Sequence, residues 1–213
     1  EPLEGWPKEI ETTEGPAVAD LDNDGYNEIV VLGSYILNHD GSYVNGWPNL
    51  RYFGNNPVIA DLNNDNNLDI IVVSNTGEMK VFDLNGYLPG WPKRIPGHHE
   101  GLKVRPGAVA VADLDNDGYE EIVFGVSLLT DLGGIIYVLD HTGEYIDGWP
   151  IFIDRSEYYG YGETSNVILA DIDNDGKIEI ITGSDKKIYA WNFDGSNVDG
   201  WPLYIGAASP PMI

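Results

Sequence analysis

Short apolar runs, separated by polar turns, recur along the whole chain. One run leads into an acidic loop, as PAVA does at 16–19, and a second run leaves that loop, as EIVVL does at 28–32. A third run precedes a Gly-containing turn, and a fourth surrounds a Gly-Trp-Pro sequence. Such runs between turn residues are typical of strands, and an Asx-Gly pair after an apolar run favours a hairpin. No segment keeps a 3.6-residue period with caps, so we predict almost no helix.

This block of four runs occurs four times. Its acidic segments are ADLDNDGYNEIVVLG (19–33), ADLNNDNNLDIIVVS (60–74), ADLDNDGYEEIVFGV (112–126) and ADIDNDGKIEIITGS (170–184). Repeats of about 40–50 residues with four strands each are typical of propeller blades. We therefore predict an all-β chain that forms a β-propeller of four-stranded antiparallel blades.

Four complete repeats and two partial ones account for the chain. The complete repeats lie at about 11–50, 51–95, 104–153 and 164–205, and the partial repeats at 1–10 and 206–213. We predict one propeller, or a segment of one, over residues 1–213. The first partial repeat matches a last strand and the second matches a first strand, so the terminal strands are expected to pair with each other or with a neighbour. Unpaired strand edges would otherwise promote aggregation.

Each acidic segment has the pattern D-x-[DN]-x-D-[GN]-x-x-[DE], which gathers oxygen atoms around one point if the loop turns tightly. The side chains at positions 1, 3, 5 and 9 and the backbone carbonyl at position 7 are the candidate metal ligands. They are Asp20, Asp22, Asp24, Tyr26 and Glu28; Asp61, Asn63, Asp65, Asn67 and Asp69; Asp113, Asp115, Asp117, Tyr119 and Glu121; and Asp171, Asp173, Asp175, Lys177 and Glu179. Hard oxygen ligands in a flexible loop favour Ca²⁺. An EF-hand is excluded because it needs an acid at position 12 and flanking helices.

Net charge supports a bound cation and limits the partners. The formal charge is −24, and fifteen of the 35 acids lie at ligand positions. The alternative, solvated acidic turns, would leave these acids repelling one another. We predict about four Ca²⁺ ions, one per complete repeat, with the second loop weakest because it has one acid fewer and no Gly. So acidic a chain does not suit nucleic acid or anionic membranes, and no apolar run is long enough for membrane insertion.

The acidic loop with its flanking strands resembles the FG-GAP or VCBS repeat, as found in the propeller of integrin α subunits. The sequence Phe53-Gly54-Asn55-Asn56-Pro57 before the second loop is similar to the Phe-Gly and Gly-Ala-Pro elements that name the family. This resemblance implies Ca²⁺ in the hairpin loop between the first two strands of a blade. It also implies an extracellular location, in adhesion proteins or secreted enzymes, and commonly seven or eight blades.

Two insertions carry the candidate ligand-binding residues. Repeat proteins often bind through loops inserted on one face. The aromatic cluster is Tyr158, Tyr159 and Tyr161, and the adjacent histidines are His98 and His99. Rings with polar neighbours suit a protein or glycan ligand, whereas packed or solvated loops are the alternative. The five tryptophans of the Gly-Trp-Pro sequences are expected to pack between blades.

The sequence therefore predicts an extracellular, calcium-binding adhesion, ligand-binding or surface module without catalysis. Nucleophile-elbow, phosphate-loop and zinc-protease motifs are absent from the sequence. Two alternatives remain. One is the propeller portion of a secreted polysaccharide-degrading enzyme, similar to a lyase. The other is a subunit of an extracellular polymer that self-associates through its terminal strands.

Overall fold

The protein is represented by a computed structural model. The residues that it describes are 5–10, 12, 15–49, 55–74, 77–95, 104–128, 133–153, 166–184 and 187–205. They form strands and turns and contain no helix, so none of them forms a helix that could cross a membrane. The chain divides into two compact units, Glu1–His98 and His99–Ile213.

The first unit contains two antiparallel sheets. Sheet 1 has the order β1-β2-β3, from β1 (Ala17–Ala19), β2 (Glu28–Val31) and β3 (Tyr35–Leu37). Sheet 2 has the order β4-β5-β6-β7, with β8 also paired to β6, from β4 (Asn55–Ala60), β5 (Asp69–Val73), β6 (Glu78–Asp83), β7 (Gly86–Tyr87) and β8 (Lys93–Arg94). The extra strand β7 arises from a tight turn in which Asp83 pairs directly with Gly86.

The second unit contains two four-stranded antiparallel sheets. Sheet 3 has the order β12-β11-β10-β9, from β9 (Val104–Ala112), β10 (Glu121–Leu128), β11 (Gly134–Leu139) and β12 (Ile151–Ile153). Sheet 4 has the order β13-β14-β15-β16, from β13 (Val167–Ala170), β14 (Glu179–Ser184), β15 (Lys187–Trp191) and β16 (Leu203–Tyr204). Each of the four sheets lies within one predicted repeat. The all-β class is confirmed, and a single propeller over 1–213 stays a prediction.

Each unit has a core between its two sheets. Val30 and Ile36 of sheet 1 pack with Ile70 and Phe82 of sheet 2. The corresponding residues of the second unit are Val123, Ile136 and Val138 of sheet 3 with Ile180 and Trp191 of sheet 4. Strand β5 is buried at all five positions, which fits a continuous apolar run covered on both faces.

In repeats 2, 3 and 4 the strand after Gly-Trp-Pro begins later than predicted, and in repeat 1 the described residues form no such strand. The Gly-Trp-Pro sequence lies in a turn, in which the Trp N–H donates to the carbonyl three residues earlier, as Trp149 does to Ile146 (3.1 Å). Strands β8, β12 and β16 begin only after the proline. All five Trp-Pro peptide bonds are cis.

The Gly-Trp-Pro turn docks on the Asx-Gly turn of the following repeat. The Trp149 indole N–H donates to the carbonyl oxygen of Phe193 (2.8 Å), and the Trp149 ring lies edge-on to Trp191 (6.0 Å). In the first unit, the Trp6 indole N–H lies 3.4 Å from the His39 carbonyl oxygen, and Trp47 stacks on Phe82 (5.8 Å). Trp47 and Trp149 therefore pack between the two sheets of their units, and for the other three tryptophans of these sequences packing between sheets stays a prediction.

This joint places a steric requirement on the glycine. A Cβ added to Gly148 would collide with the carbonyl oxygen of Asp194. Gly200 stands at the same place in the last Gly-Trp-Pro sequence and has nearly the same φ, +88° against +94°, but a Cβ there meets no atom within 4 Å. The two glycines therefore form a matched pair in which only the close contact differs.

We expect Gly148→Ala to destabilise the protein more than Gly200→Ala. Both alanines incur about 1–2 kcal/mol for left-handed backbone, and the collision at position 148 adds about 1–3 kcal/mol of overpacking. Urea unfolding, followed by tryptophan fluorescence, measures both losses. Equal losses for the two variants would show that the joint is not tight.

Candidate metal centre

The four acidic loops connect the first two strands of their sheets. They are numbered 1 to 4 along the chain: 20–28, 61–69, 113–121 and 171–179. The residue before each loop pairs with the acid at position 9, as Ala19 does with Glu28. The same pairing joins Ala60 to Asp69, Ala112 to Glu121 and Ala170 to Glu179. Each loop is therefore a closed hairpin connection whose ends are fixed by strand pairing.

Two positions in each loop have left-handed backbone. Position 6 was expected to, and its φ is +91° at Gly25 and +67° at Asn66. Position 4 was not predicted, although it is Asn in every loop: Asn23, Asn64, Asn116 and Asn174, with φ between 54° and 62°. Asn is among the few residues other than Gly that adopt this conformation readily. Its recurrence at position 4 was a signal present in the sequence.

Backbone N–H groups turn inward and bind the carboxylates. In loop 1, Asp20 accepts hydrogen bonds from Asp24 N–H and Gly25 N–H, both at 3.0 Å. At position 5, Asp24 accepts the N–H of residue 7, Tyr26, at 2.8 Å. The position-5 bond has the same length in the other three loops. The loops therefore share one internal framework, despite their different sequences.

The acid at position 9 is buried beneath the loop. Glu28, Asp69, Glu121 and Glu179 are each at most 2% exposed. One oxygen of each accepts the N–H of position 2, at 2.8–3.1 Å. Position 2 is Leu or Ile, and Leu21, Leu62 and Leu114 are buried. Sequence reasoning proposed the acid as a ligand but missed this second role, in which it ties the loop to the apolar core.

Three of the loops bring carboxylates close enough to share one cation. Positions 1, 3 and 9 place oxygens within 4.8 Å of one another in the clusters Asp20, Asp22 and Glu28; Asp113, Asp115 and Glu121; and Asp171, Asp173 and Glu179. The described loop 61–69 forms no such cluster of three acids, because Asn63 stands at position 3. The acids at position 5 are outside the clusters, and the position-7 carbonyls stay predicted ligands.

One buried oxygen tests whether these residues fit a cation. Glu179 Oε2 accepts the Ile172 N–H (2.8 Å), whereas Glu179 Oε1 is buried without a hydrogen-bond partner among the described residues. A buried carboxylate oxygen without a partner is costly. A cation held by Asp171, Asp173 and Glu179 would satisfy it, so the donor set fits a hard metal ion.

The buried acids resist ionisation. Burial first, and then the charges of the neighbouring acids, raise the pKa of Asp69 to about 7 and that of Glu121 to about 7. The same causes raise the pKa of Glu28 and Glu179. In contrast, hydrogen bonds from Ser196 first, and then the charge of Lys177, lower the pKa of Asp194.

A cleft of about 560 Å³ lies beside loops 3 and 4 in the second unit. Its walls include Asp115, Asp173, Asp175, Lys177 and Phe193. Because the three acids, Asp115, Asp173 and Asp175, are candidate metal ligands, a cation in either loop would make the charge of the cleft less negative. The other candidate ligand residues of the sequence, His98, His99, Tyr158, Tyr159 and Tyr161, lie outside the described residues.

Comparison with known proteins identifies the repeat. The family model described as FG-GAP-like repeat matches residues 61–124. This part of the chain is similar to an FG-GAP-like repeat. The match begins at the first acid of loop 2 and ends in β10, so it includes the second and third acidic loops. No curated protein matches the sequence.

Three solved structures are similar to this chain at low sequence identity. Two are BBS1N in complex with ARL6DN: the lead-soaked crystal has TM-score 0.59 at 15% identity over 97% of this chain and 60% of that one. The mercury-soaked crystal has TM-score 0.58 at 14% identity, over 97% of this chain and 57% of that one. The V. cholerae biofilm matrix protein Bap1 has TM-score 0.41 at 19% identity over 90% and 39%. The chain thus spans about three fifths of the BBS1N chains, and its all-β fold is propeller-like.

Without a cation, stability is expected to fall as the pH rises from about 4 to about 7. The folded-state pKa of Asp69 and Glu121 is raised, so the folded protein binds more protons than the unfolded chain in this range and loses that advantage as they ionise. The upper bound for Asp69 is about 4 kcal/mol. Urea unfolding in chelator at several pH values measures the fall.

The isosteric variant Asp69→Asn with Glu121→Gln removes two of the four buried acids and should reduce this pH dependence, because Glu28 and Glu179 still titrate with raised pKa. Asp194→Asn is the matched control, because the pKa of Asp194 is lowered and its ionisation lies below this range. An unchanged slope in the double variant would contradict the assignment.

Proposed function

We propose that this chain is an extracellular, calcium-binding module of propeller repeats that serves adhesion or ligand binding without catalysis. The observation that carries the proposal is the buried Glu179 Oε1, which has no hydrogen-bond partner in the described part of the chain and lies beside Asp171 and Asp173. Equivalent acid clusters in loops 1 and 3 support the same role. The acidic residues then act as a structural metal set, and each ion fixes the first hairpin of its repeat.

Calcium is the proposed ion, with about four ions per chain. Carboxylate and carbonyl oxygens in flexible loops suit Ca²⁺. Loop 2 is the weakest site in this proposal, because Asn63 replaces an acid and no three-acid cluster forms there. Binding to the folded form stabilises it by mass action. Weak sites would be filled at extracellular Ca²⁺ concentrations and empty in the cytosol, which supports an extracellular location.

Recognition by loops on the stacked repeats is the proposed role, with a protein or glycan as partner. FG-GAP-like repeats resemble those of adhesion proteins, and the similar BBS1N structures were determined in complex with ARL6DN, a protein partner. The acidic clusters are already used by the loop framework, through backbone hydrogen bonds and burial of position 9. This use supports a structural role for the acids over acid–base catalysis.

Calcium should raise the melting temperature relative to chelator. One site at a free Ca²⁺ concentration of about 100 times its Kd adds about 2.7 kcal/mol. Glu179→Gln should lower the melting temperature in calcium and reduce the difference between calcium and chelator. Asp194→Asn, an exposed acid outside the loops, is the matched control and should keep the full difference. Identical melting curves with and without calcium would refute structural calcium.

Adhesion and catalysis are separated by one binding assay. The 213-residue chain, immobilised on beads, is incubated with acidic polysaccharides and with extracellular matrix proteins in calcium or chelator. Calcium-dependent retention without chain cleavage is expected. Cleavage of any polysaccharide, seen as a fall in its molecular mass, would instead favour the enzyme, and retention unaffected by chelator would separate recognition from the metal loops.

A further inference from the structure

An aromatic pair joins the acidic loop to the Asx-Gly turn in two of the four repeats. Tyr26 stacks on His39 with ring centroids 4.2 Å apart and an interplanar angle of 20°. Tyr119 stacks on His141 at 4.2 Å and 17°. The pairs lie in different units and have different sequence separations, so the shared geometry does not follow from local spacing. It follows from the common position of each residue in its sheet.

The tyrosine of each pair occupies position 7 of the loop. Its N–H donates to the acid at position 5, Asp24 or Asp117, at 2.8 Å. Tyr26 is 57% exposed and Tyr119 is 38% exposed, so burial alone restrains the side chain little. The stacked imidazole supplies a second point of attachment. The residue whose carbonyl is the predicted ligand is thus held at its backbone N–H and at its side chain.

The histidines lie in a turn that is itself fixed. His39 lies between Asn38 and Gly41, where the Gly41 N–H donates to the Asn38 carbonyl (2.9 Å). His141 lies in the equivalent turn, closed by the Gly143 N–H to Asp140 (2.9 Å). Each imidazole therefore extends from a hydrogen-bonded support toward the loop, which is the arrangement needed to position a neighbouring residue.

We propose that His39 and His141 are positioning residues for the cation sites of loops 1 and 3. By stacking on Tyr26 and Tyr119 they hold the position-7 carbonyl where a cation bound by positions 1, 3 and 9 takes it as a ligand. Loops 1 and 3 therefore bind calcium more tightly than loops 2 and 4. This inference rests on the proposed calcium function.

Loops 2 and 4 lack the pair, which makes them internal comparisons. In repeat 2, Asn67 occupies position 7 of the loop and Leu84 occupies the place of the histidine. In repeat 4, these residues are Lys177 and Phe193. Neither combination provides a stacked pair of rings. Lys177 also brings a positive charge to position 7, which opposes a bound cation. The stacked pair thus ranks the calcium affinities of the four loops independently of their number of acids.

Terbium luminescence provides a readout specific to the two loops. Tb³⁺ replaces Ca²⁺ in oxygen sites and emits when a nearby tyrosine is excited, and only loops 1 and 3 have tyrosine at position 7. The variants are His39→Ala with His141→Ala, and His39→Phe with His141→Phe, in the full 213-residue chain. Phe keeps a flat ring for stacking and removes the imidazole nitrogens. Tyr43→Leu is the control, because Tyr43 follows the same turn but lies outside the loop.

The alanine variant should bind Tb³⁺ at the tyrosine-containing loops roughly threefold to tenfold more weakly, which is the size expected for one lost aromatic contact. Competing Ca²⁺ should show the same loss. The phenylalanine variant should recover wild-type affinity, and Tyr43→Leu should leave it unchanged. The alanine variant should lose more melting temperature in calcium than in chelator, because it loses both the ring contact and part of the calcium affinity.

Different results overturn different claims. Wild-type protein that binds neither Tb³⁺ nor Ca²⁺ overturns the proposed function itself. Normal binding by the alanine variant overturns only the positioning role. Equal weakening by alanine and phenylalanine also overturns it, because stacking would then not be the cause. A variant that melts lower in chelator, with unchanged affinity, shows that the pair only packs the turn against the loop.

Discussion

Repulsion among carboxylates held within 4.8 Å of one another is the constraint on which the rest of the structure depends. The fold counters it in two ways. Inward backbone N–H groups bind Asp20, Asp24 and Glu28 in loop 1, and strand pairing closes the loop at Ala19 and Glu28. These devices hold the acids together but leave their net charge in place. Burial of position 9 makes the remaining charge more costly, so a cation is the natural complement of the loop.

The loops also connect the charged surface to the apolar core. Glu28 accepts the N–H of Leu21, and Leu21 packs with Val30 and Ile36 in the core of the first unit. Glu121 and Leu114 repeat this arrangement in the second unit. A change in charge at position 9 therefore reaches the core through a single hydrogen bond. In the proposed function, that contact would link metal binding to folding.

The sequence predicts the parts of this arrangement that depend on short spacing. The positions of Asp20, Asp22 and Glu28, and the turn at Gly25, follow from a nine-residue pattern that is visible in one dimension. The sequence predicted that Trp149 packs between repeats. It did not predict the specific hydrogen bond from Trp149 to the Phe193 carbonyl. The stacking of Tyr26 on His39 was not predicted, because it depends on how two separate turns meet. The start of β12 was misplaced because Trp149 closes a turn with Ile146, which alternation of residues does not reveal.

The joint between repeats has a consequence for how such a chain grows. Gly5 faces the Asp40 carbonyl and Gly148 faces the Asp194 carbonyl in nearly the same manner, although the sheets that follow differ in sequence. The Gly-Trp-Pro sequence and the Asx-Gly turn are both short, and each lies entirely within one repeat. A duplicated gene segment that carries one of each thus contains both surfaces of the contact between repeats. Duplication of such a segment can lengthen the array, and its deletion can shorten it, without the need for any new contact to evolve.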